Sequence, residues 1–450
     1  MTDHLIIVGY DEIVSNKYMS CIEKAYADGD INGYSIVDLE GQKKVILEKL
    51  KNQKLKPTRV ICILEPPKNI WSNDEDFVPV FEDIKSKEKS IIVYIATELK
   101  AHEGYLKYCI LNNIRSLVEK PVFSPLTDGY FDPYKISNIW EELEYYAKKS
   151  GVAHSVMTLS RYHSVYNDLY INNIKKMIEK TASPITSLHL RHAGGVWNLM
   201  EEYITREDHP YKYGYGMLMH GGYHYLDLFT QIICLNKKLF PDEMFELVLS
   251  SFAAYPKDQN DRIPARYFND YPSNHNNDRE DIINMCGETD IVASYCLRFK
   301  NTKKVLTLGT ISLEQTTPSV RNWIQFPEGI YNKNGRTSFV EVETQLGTLH
   351  SSNVTCFDIP VKNKQEIEKI HAFARIVNRT NGSLLKNEDY VRESTYDGVF
   401  HSESNKRLMI NWLKSKENRS NFEDHKQVMQ LVQALGESIR CPGTSVKFDF

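Results

Sequence analysis

Five short apolar runs separated by helical stretches limit what the first third of this chain can fold into. They are Leu5–Val8, Tyr34–Asp38, Arg59–Leu64, Ser90–Ile95 and Arg115–Val118, with helical patterns at 12–28, 40–53 and 100–113. Runs this continuously apolar lack the alternation of a half-exposed strand. They suit a parallel sheet covered by helices on both faces. The pattern predicts a Rossmann-type, doubly wound α/β domain over residues 1–150.

From Val152 the pattern changes. A strand at His154–Leu159 and a helix at 166–180 precede the alternating strand Ile185–Arg191. Further strands are expected at 245–254, 289–299, 303–314 and 337–345, with a hairpin signal at Lys300-Asn-Thr-Lys303. Residues 151–450 therefore read as an α+β domain built on a large, mainly antiparallel sheet. Residues 256–285 read as a long polar loop. The tail from about 363 reads as helical and charged, closing on a short strand at 444–448. At 450 residues, two domains is the natural division.

A net charge of −4 argues against a nucleic-acid binder, whose affinity rests on neutralising phosphates. No apolar run is long enough to span a bilayer. Met-Thr-Asp-His leads straight into the first strand, so no signal peptide is expected. The eight cysteines are scattered without a C-x-x-C pair, as in a reduced, cytoplasmic protein.

A dinucleotide-binding βα turn wants G-x-G-x-x-G, whose second glycine lets the pyrophosphate approach the backbone. Here Gly9-Tyr10-Asp11-Glu12-Ile13-Val14 keeps the first glycine and puts Asp11 at the second. A carboxylate there opposes the pyrophosphate. Asp38 ends the second strand, where an acid bonds the ribose hydroxyls of NAD and repels the 2′-phosphate of NADP. Two readings stay open: a domain that binds NAD or NADP, NAD being favoured, and a cofactor-poor binding or scaffold protein on the same fold.

Lys120 follows an apolar run in Glu119-Lys120-Pro121. The proline holds this strand end extended, at the sheet edge where open α/β sheets bind ligands. A lysine so placed can donate or accept a proton at a substrate oxygen; the plain alternative is a surface strand end. In the second half, His224 and Asp227 share a helix face, with His220 one turn earlier. Histidine beside carboxylate is an acid–base pairing. The i, i+4 spacing of His220 and His224 also fits zinc, but the glutamate of H-E-x-x-H is missing and no metal is expected. Packing of a buried helix is the third reading.

These pieces, in this order, resemble the glucose-fructose oxidoreductase / inositol dehydrogenase (Gfo/Idh/MocA) family. Ile95-Ala-Thr97-Glu98-Leu-Lys-Ala-His102 is similar to its fourth strand and cofactor loop, and Glu119-Lys120-Pro121 to its signature tripeptide. Arg161 falls where the family often has an arginine. Gly216 to Asp227, Gly287-Glu288-Thr-Asp290 and Gly443-Thr-Ser-Val446 also fit, while 65–88 and 256–285 look like insertions. The resemblance implies an NAD(P)-dependent oxidoreductase acting on a sugar, polyol or sugar-derived hydroxyl. A close variant is a redox-assisted lyase or hydrolase that recycles its NAD. Gly9, Tyr10, Asp38, Thr97, Glu98, His102, Glu119 and Lys120 would hold the cofactor. Lys120, Arg161 and Asp227 would meet the substrate, Lys120 bonding its hydroxyl. His224 would be the general base, with His220 beside it, and a nicotinamide would take the hydride. Dimers or tetramers are implied, joined through the open face of the second sheet. Two departures touch chemistry: Asp11 in the phosphate loop, and His220 where the family carries an aspartate. The tyrosines from Tyr203 to Tyr215 suggest a surface for stacking a sugar ring.

Overall fold

The computed structural model describes residues 2–66, 74–194, 198, 200–207, 209–261, 284–315, 338–358, 373–386, 388–398, 400–416 and 418–450. Two compact units result, Met1–Tyr162 with Ser402–Met429, and His163–His401 with Gln430–Phe450.

The strands of the first unit are β1 (Asp3–Val8), β2 (Ile31–Leu39), β3 (Arg59–Ile63), β4 (Ile91–Ile95), β5 (Ser116–Glu119), a small hairpin of β6 (Leu126–Thr127) and β7 (Tyr130–Phe131), and β8 (His154–Met157). Six of them form a sheet in the order β3-β2-β1-β4-β5-β8, every neighbouring pair parallel. His4–Val8 and the whole of β4 are buried, as strands covered on both faces must be. The chain runs outward from β1 to β3, then resumes on the other side of β1 with β4. At such a reversal, open α/β sheets bind ligands in the crevice outside the carboxyl ends of the strands.

This unit differs from the sequence expectation in two ways. The strand expected to open the second domain is instead the sixth of this sheet, Ser116–Glu119 pairing with His154–Met157. The helix Phe400–Leu413 also returns to it: Leu408, Met409, Trp412 and Leu413 share a core with Leu5, Ile7, Tyr34 and Ile36. A short apolar run does not declare which sheet it will join. Nor does an amphipathic helix declare its partner.

The second unit holds β9 (Ser187–Ala193), β10 (Phe245–Ala254), β11 (Asp290–Phe299), β12 (Val305–Glu314), β13 (Ser338–Leu346), β14 (His350–Asp358), β15 (Phe373–Thr380), β16 (Val391–Asp397) and β17 (Val446–Asp449). They form one sheet, β16-β15-β14-β13-β9-β12-β11-β10-β17, antiparallel except between β9 and β12. Burial alternates along it: Leu188, Leu190 and His192 are buried, whereas His189 and Arg191 are exposed. The outer face carries a bidentate Arg191–Glu314 pair at 2.7 and 2.8 Å, and the exposed apolar residues Phe252, Val292 and Leu308. Where a helical tail was expected, β15 and β16 are strands. The tail's helices are Phe400–Leu413 and Lys426–Arg440. Of the expected 256–285 loop, Pro256–Asp261 is helical and 262–283 lie outside the described residues.

Trp412 tests the return of the chain to the first unit. Its ring is buried beneath the Arg115 guanidinium, 5.2 Å from the centroid, and Arg115 also donates to the Trp412 carbonyl. Trp412→Ala is expected to cost about 3–5 kcal/mol, read as a lower urea midpoint. A loss below about 1 kcal/mol, the scale of a surface site, would mean this helix does not complete the core.

Candidate functional site

In the first unit the crevice is shaped by a turn that only glycine fits. Gly9 has φ +85°, and a Cβ there would stand 2.7 Å from the Ala96 carbonyl oxygen. Its N–H donates to Val37 O at 2.9 Å, and Ala96 N–H donates to Val8 O at 2.8 Å. The loops after β1 and β4 are thereby held backbone to backbone. Asp11 follows immediately. Its Oδ1 accepts the Val14 N–H at 2.8 Å, and its carbonyl accepts the Ser15 N–H at 3.1 Å. The carboxylate is thus an N-cap, seated on an amide that a helix start would otherwise offer to an anion.

Asp38, at the end of β2, is engaged in the same manner. Oδ2 accepts the Tyr10 N–H and Oδ1 the Leu39 N–H, both at 2.7 Å. Burial raises its pKa above the ordinary carboxylate value, against the pull of the two amides. The Tyr10 ring is buried in the unit's core, and burial pushes its hydroxyl up to about 12. Glu98 Oε2 caps the turn Leu99–Ala101 through the Lys100 N–H at 3.0 Å. The Thr97 hydroxyl is buried with no hydrogen-bond partner among the described residues.

Lys120 and Pro121, joined by a cis peptide, follow β5, and Lys120 is half-buried. Glu119 beside it accepts the Tyr94 hydroxyl at 2.6 Å. Burial raises its pKa; Lys17 and Lys120 oppose the rise, and Asp11 adds to it. His102 ties the two loops together, Nδ1 lying 2.9 Å from Pro121 O and Nε2 3.1 Å from Thr97 O. Burial drives its pKa down to about 4, so the ring is neutral and has one N–H to give to the two carbonyls. Arg161 is buried in this unit, donating to the carbonyls of Arg419 at 3.2 Å and Asp424 at 2.7 Å. Its guanidinium therefore fastens the 419–424 segment to the loop after β8.

In the second unit His224 and Asp227 lie on the helix Gly222–Ile233, and His220 lies in the turn just before it. Both histidines are nearly buried, and Asp227 is wholly so. Asp227 Oδ2 accepts the Gln231 side-chain amide at 2.9 Å. The His224 ring lies edge-on to His401 at 6.0 Å. His220 lies edge-on to Tyr211 at 4.8 Å, Tyr215 at 5.6 Å and His209 at 5.2 Å. Among the described residues no group of three or more His, Cys, Asp or Glu is arranged to hold a metal. The tyrosines read as a stacking surface behave otherwise: Tyr203 and Tyr215 are fully buried and Tyr211 nearly so. Tyr203 donates to Gln315 Oε1 at 2.8 Å, and Gln315 donates to the Tyr211 hydroxyl at 3.1 Å. These three rings are core, whereas Tyr213 is half-buried and donates to Glu207 Oε2 at 3.3 Å. The sequence reading also passed over a role for Glu288, a carboxylate 3% exposed, although an acid beside Gly287 at the mouth of a strand was a legible signal.

No family model matches the sequence, and no curated protein matches it. Solved structures do match its fold. A levoglucosan dehydrogenase in complex with NADH and levoglucosan is 12% identical, with 99% of each chain covered and a TM-score of 0.58. Aldose-aldose oxidoreductase from Caulobacter crescentus, complexed with glycerol, is 12% identical over 100% of both chains, at 0.55. The WlbA dehydrogenase from Bordetella pertussis, complexed with NADH and UDP-GlcNAcA, is 13% identical over 100% of this chain and 99% of its own, at 0.54. At these identities the likeness is one of fold alone.

His102 gives a pH test of the loop clamp. A neutral ring is favoured in the folded state, because its folded pKa of about 4 lies below the usual 6.5. The stability this brings is complete above about pH 6.5 and is lost as pH falls toward 4. His102→Gln is expected to lose less stability between pH 7 and 4.5 than the wild type, by urea unfolding at each pH. Equal losses would remove His102 from the clamp.

Proposed function

We propose that this chain is a nicotinamide-dependent oxidoreductase acting on a hydroxyl of a sugar, polyol or sugar derivative. The reading is carried by the crevice between β1 and β4, where the Gly9 turn, the Thr97 hydroxyl and, one strand further, Lys120 share the carboxyl edge of a parallel sheet. The buried Thr97 hydroxyl, which has no hydrogen-bond partner among the described residues, is a group a dinucleotide would satisfy. Gly9 and the helix start would hold its pyrophosphate, Thr97 would bond it, and Asp38 would favour NAD over NADP. When bound, the nicotinamide supplies a two-electron hydride acceptor or donor. On the family resemblance, Lys120 would bond the substrate hydroxyl and His224, with His220 beside it, would take its proton. The structural neighbours solved with NADH, levoglucosan, glycerol and a UDP-sugar support this chemistry by analogy of fold.

Asp11 favours a second reading, a protein of this fold with little hold on a cofactor, because its carboxylate is seated on the Val14 amide. Titration calorimetry with NAD separates the two. In the oxidoreductase, Asp11→Gly is expected to tighten binding by about 1–2 kcal/mol, roughly five- to thirtyfold, through loss of one like charge. Glycine serves as an N-cap at a cost of only a few tenths of a kcal/mol, so the fold should hold. No binding in either form would sink the oxidoreductase and leave the cofactor-poor protein. Lys120→Ala is expected to lower kcat/KM by about 10²-fold, followed through NADH absorbance on a panel of polyols and sugars. Unchanged turnover would take Lys120 out of the mechanism.

A further inference from the structure

Two loops of the second unit cross so closely that both need glycine where they meet. A Cβ on Gly216 would stand 2.0 Å from the Glu288 carbonyl oxygen, and one on Gly287 would stand 2.3 Å from the Tyr215 carbonyl carbon. Across this crossing Glu288 acts twice. Its carbonyl accepts the Met217 N–H at 2.8 Å, and its side-chain Oε1 accepts the Leu218 N–H, also at 2.8 Å. The next amides close the turn on itself: Met219 at 3.1 Å and His220 at 2.9 Å donate to Gly216 O, and Gly222 donates to Met217 O at 3.0 Å. The Gly287 N–H holds the Tyr211 carbonyl at 2.9 Å, behind a ring that lies against His220.

We propose that Glu288 is a positioning residue, fixing the turn that presents His220 and starts the helix bearing His224. The proposal rests on the reading of those histidines as reacting groups. The turn that carries His220 lies just ahead of the helix bearing His224, and its first two amides, Met217 and Leu218, end on Glu288. The carboxyl group is buried. Burial lifts its pKa to about 7, against the amides and the Arg440 cation. Tyr255 also faces it, with Asp258 next to that ring.

The test uses the full-length protein with isotope-labelled histidine, its His220 and His224 ring resonances assigned through His220→Gln and His224→Gln. Glu288→Gln keeps an acceptor for Leu218 and should hold the ring shifts near wild type. Glu288→Ala should displace both histidine resonances and lower kcat roughly a hundredfold, the scale of an ångström-sized misplacement, with little change in KM. Unmoved histidine resonances in Glu288→Ala would overturn the proposal. If that variant does not fold, Glu288→Asp, whose shorter arm withdraws the acceptor from the Leu218 N–H, takes its place, and unmoved histidine resonances there overturn the proposal. Displaced resonances in a protein with no dehydrogenase activity in any form would uphold the positioning role and overturn the oxidoreductase alone.

Discussion

Carboxylates bonded to backbone amides hold the loops of both units in shape. Asp11 holds Val14, Asp38 holds Tyr10 and Leu39, Glu98 holds Lys100, and Glu288 holds Leu218. Each closes a turn at the mouth of a strand or the start of a helix, where amide donors have no partner from regular structure. Charge-assisted bonds of this kind are about twice as strong as neutral ones. They let loops without much apolar surface keep a defined path. They also commit charge: an acid spent on its own loop sets the potential that any ligand of that loop must meet.

That commitment is uneven along the crevice of the first unit. Asp11, Asp38, Glu98 and Glu119 line the loops at its carboxyl edge, with Lys17 and Lys120 as the cations acting on Glu119. A glycine-rich turn leaves its amides and the positive helix end open to phosphate. Here the chain satisfies one of those amides itself. The fold supplies the crevice, and the side chains decide how strongly it attracts an anion.

Much of this was legible in the sequence. The parallel sheet follows from apolar runs such as Ile91–Ile95, and Gly9 was identifiable from its place after the first strand. Strands β14 and β16 were not, because His-Ser-Ser-Asn-Val-Thr-Cys and Val-Arg-Glu-Ser-Thr-Tyr-Asp carry little apolar periodicity. β14 buries alternate residues, but His350 and Ser352 among them are polar, and β16 is held by pairing with β15 rather than by a buried stripe of its own. Lys120 and His224 could be picked out by residue type and setting. The service of Asp11 and Asp38 to nearby amides could not, since a carboxylate reads the same in sequence whether it awaits a ligand or caps a turn.

The first unit is not continuous in the chain. Its core is completed by Leu408, Met409, Trp412 and Leu413, which follow more than two hundred residues of the second unit. During synthesis the sheet of β1 to β8 therefore leaves the ribosome with part of its apolar cover still untranslated. At about 5–20 residues per second that interval lasts on the order of ten seconds or more. For that time Ile7, Tyr34 and Ile36 lack a partner they will later bury against, and a nascent chain in this state is a natural client for a chaperone.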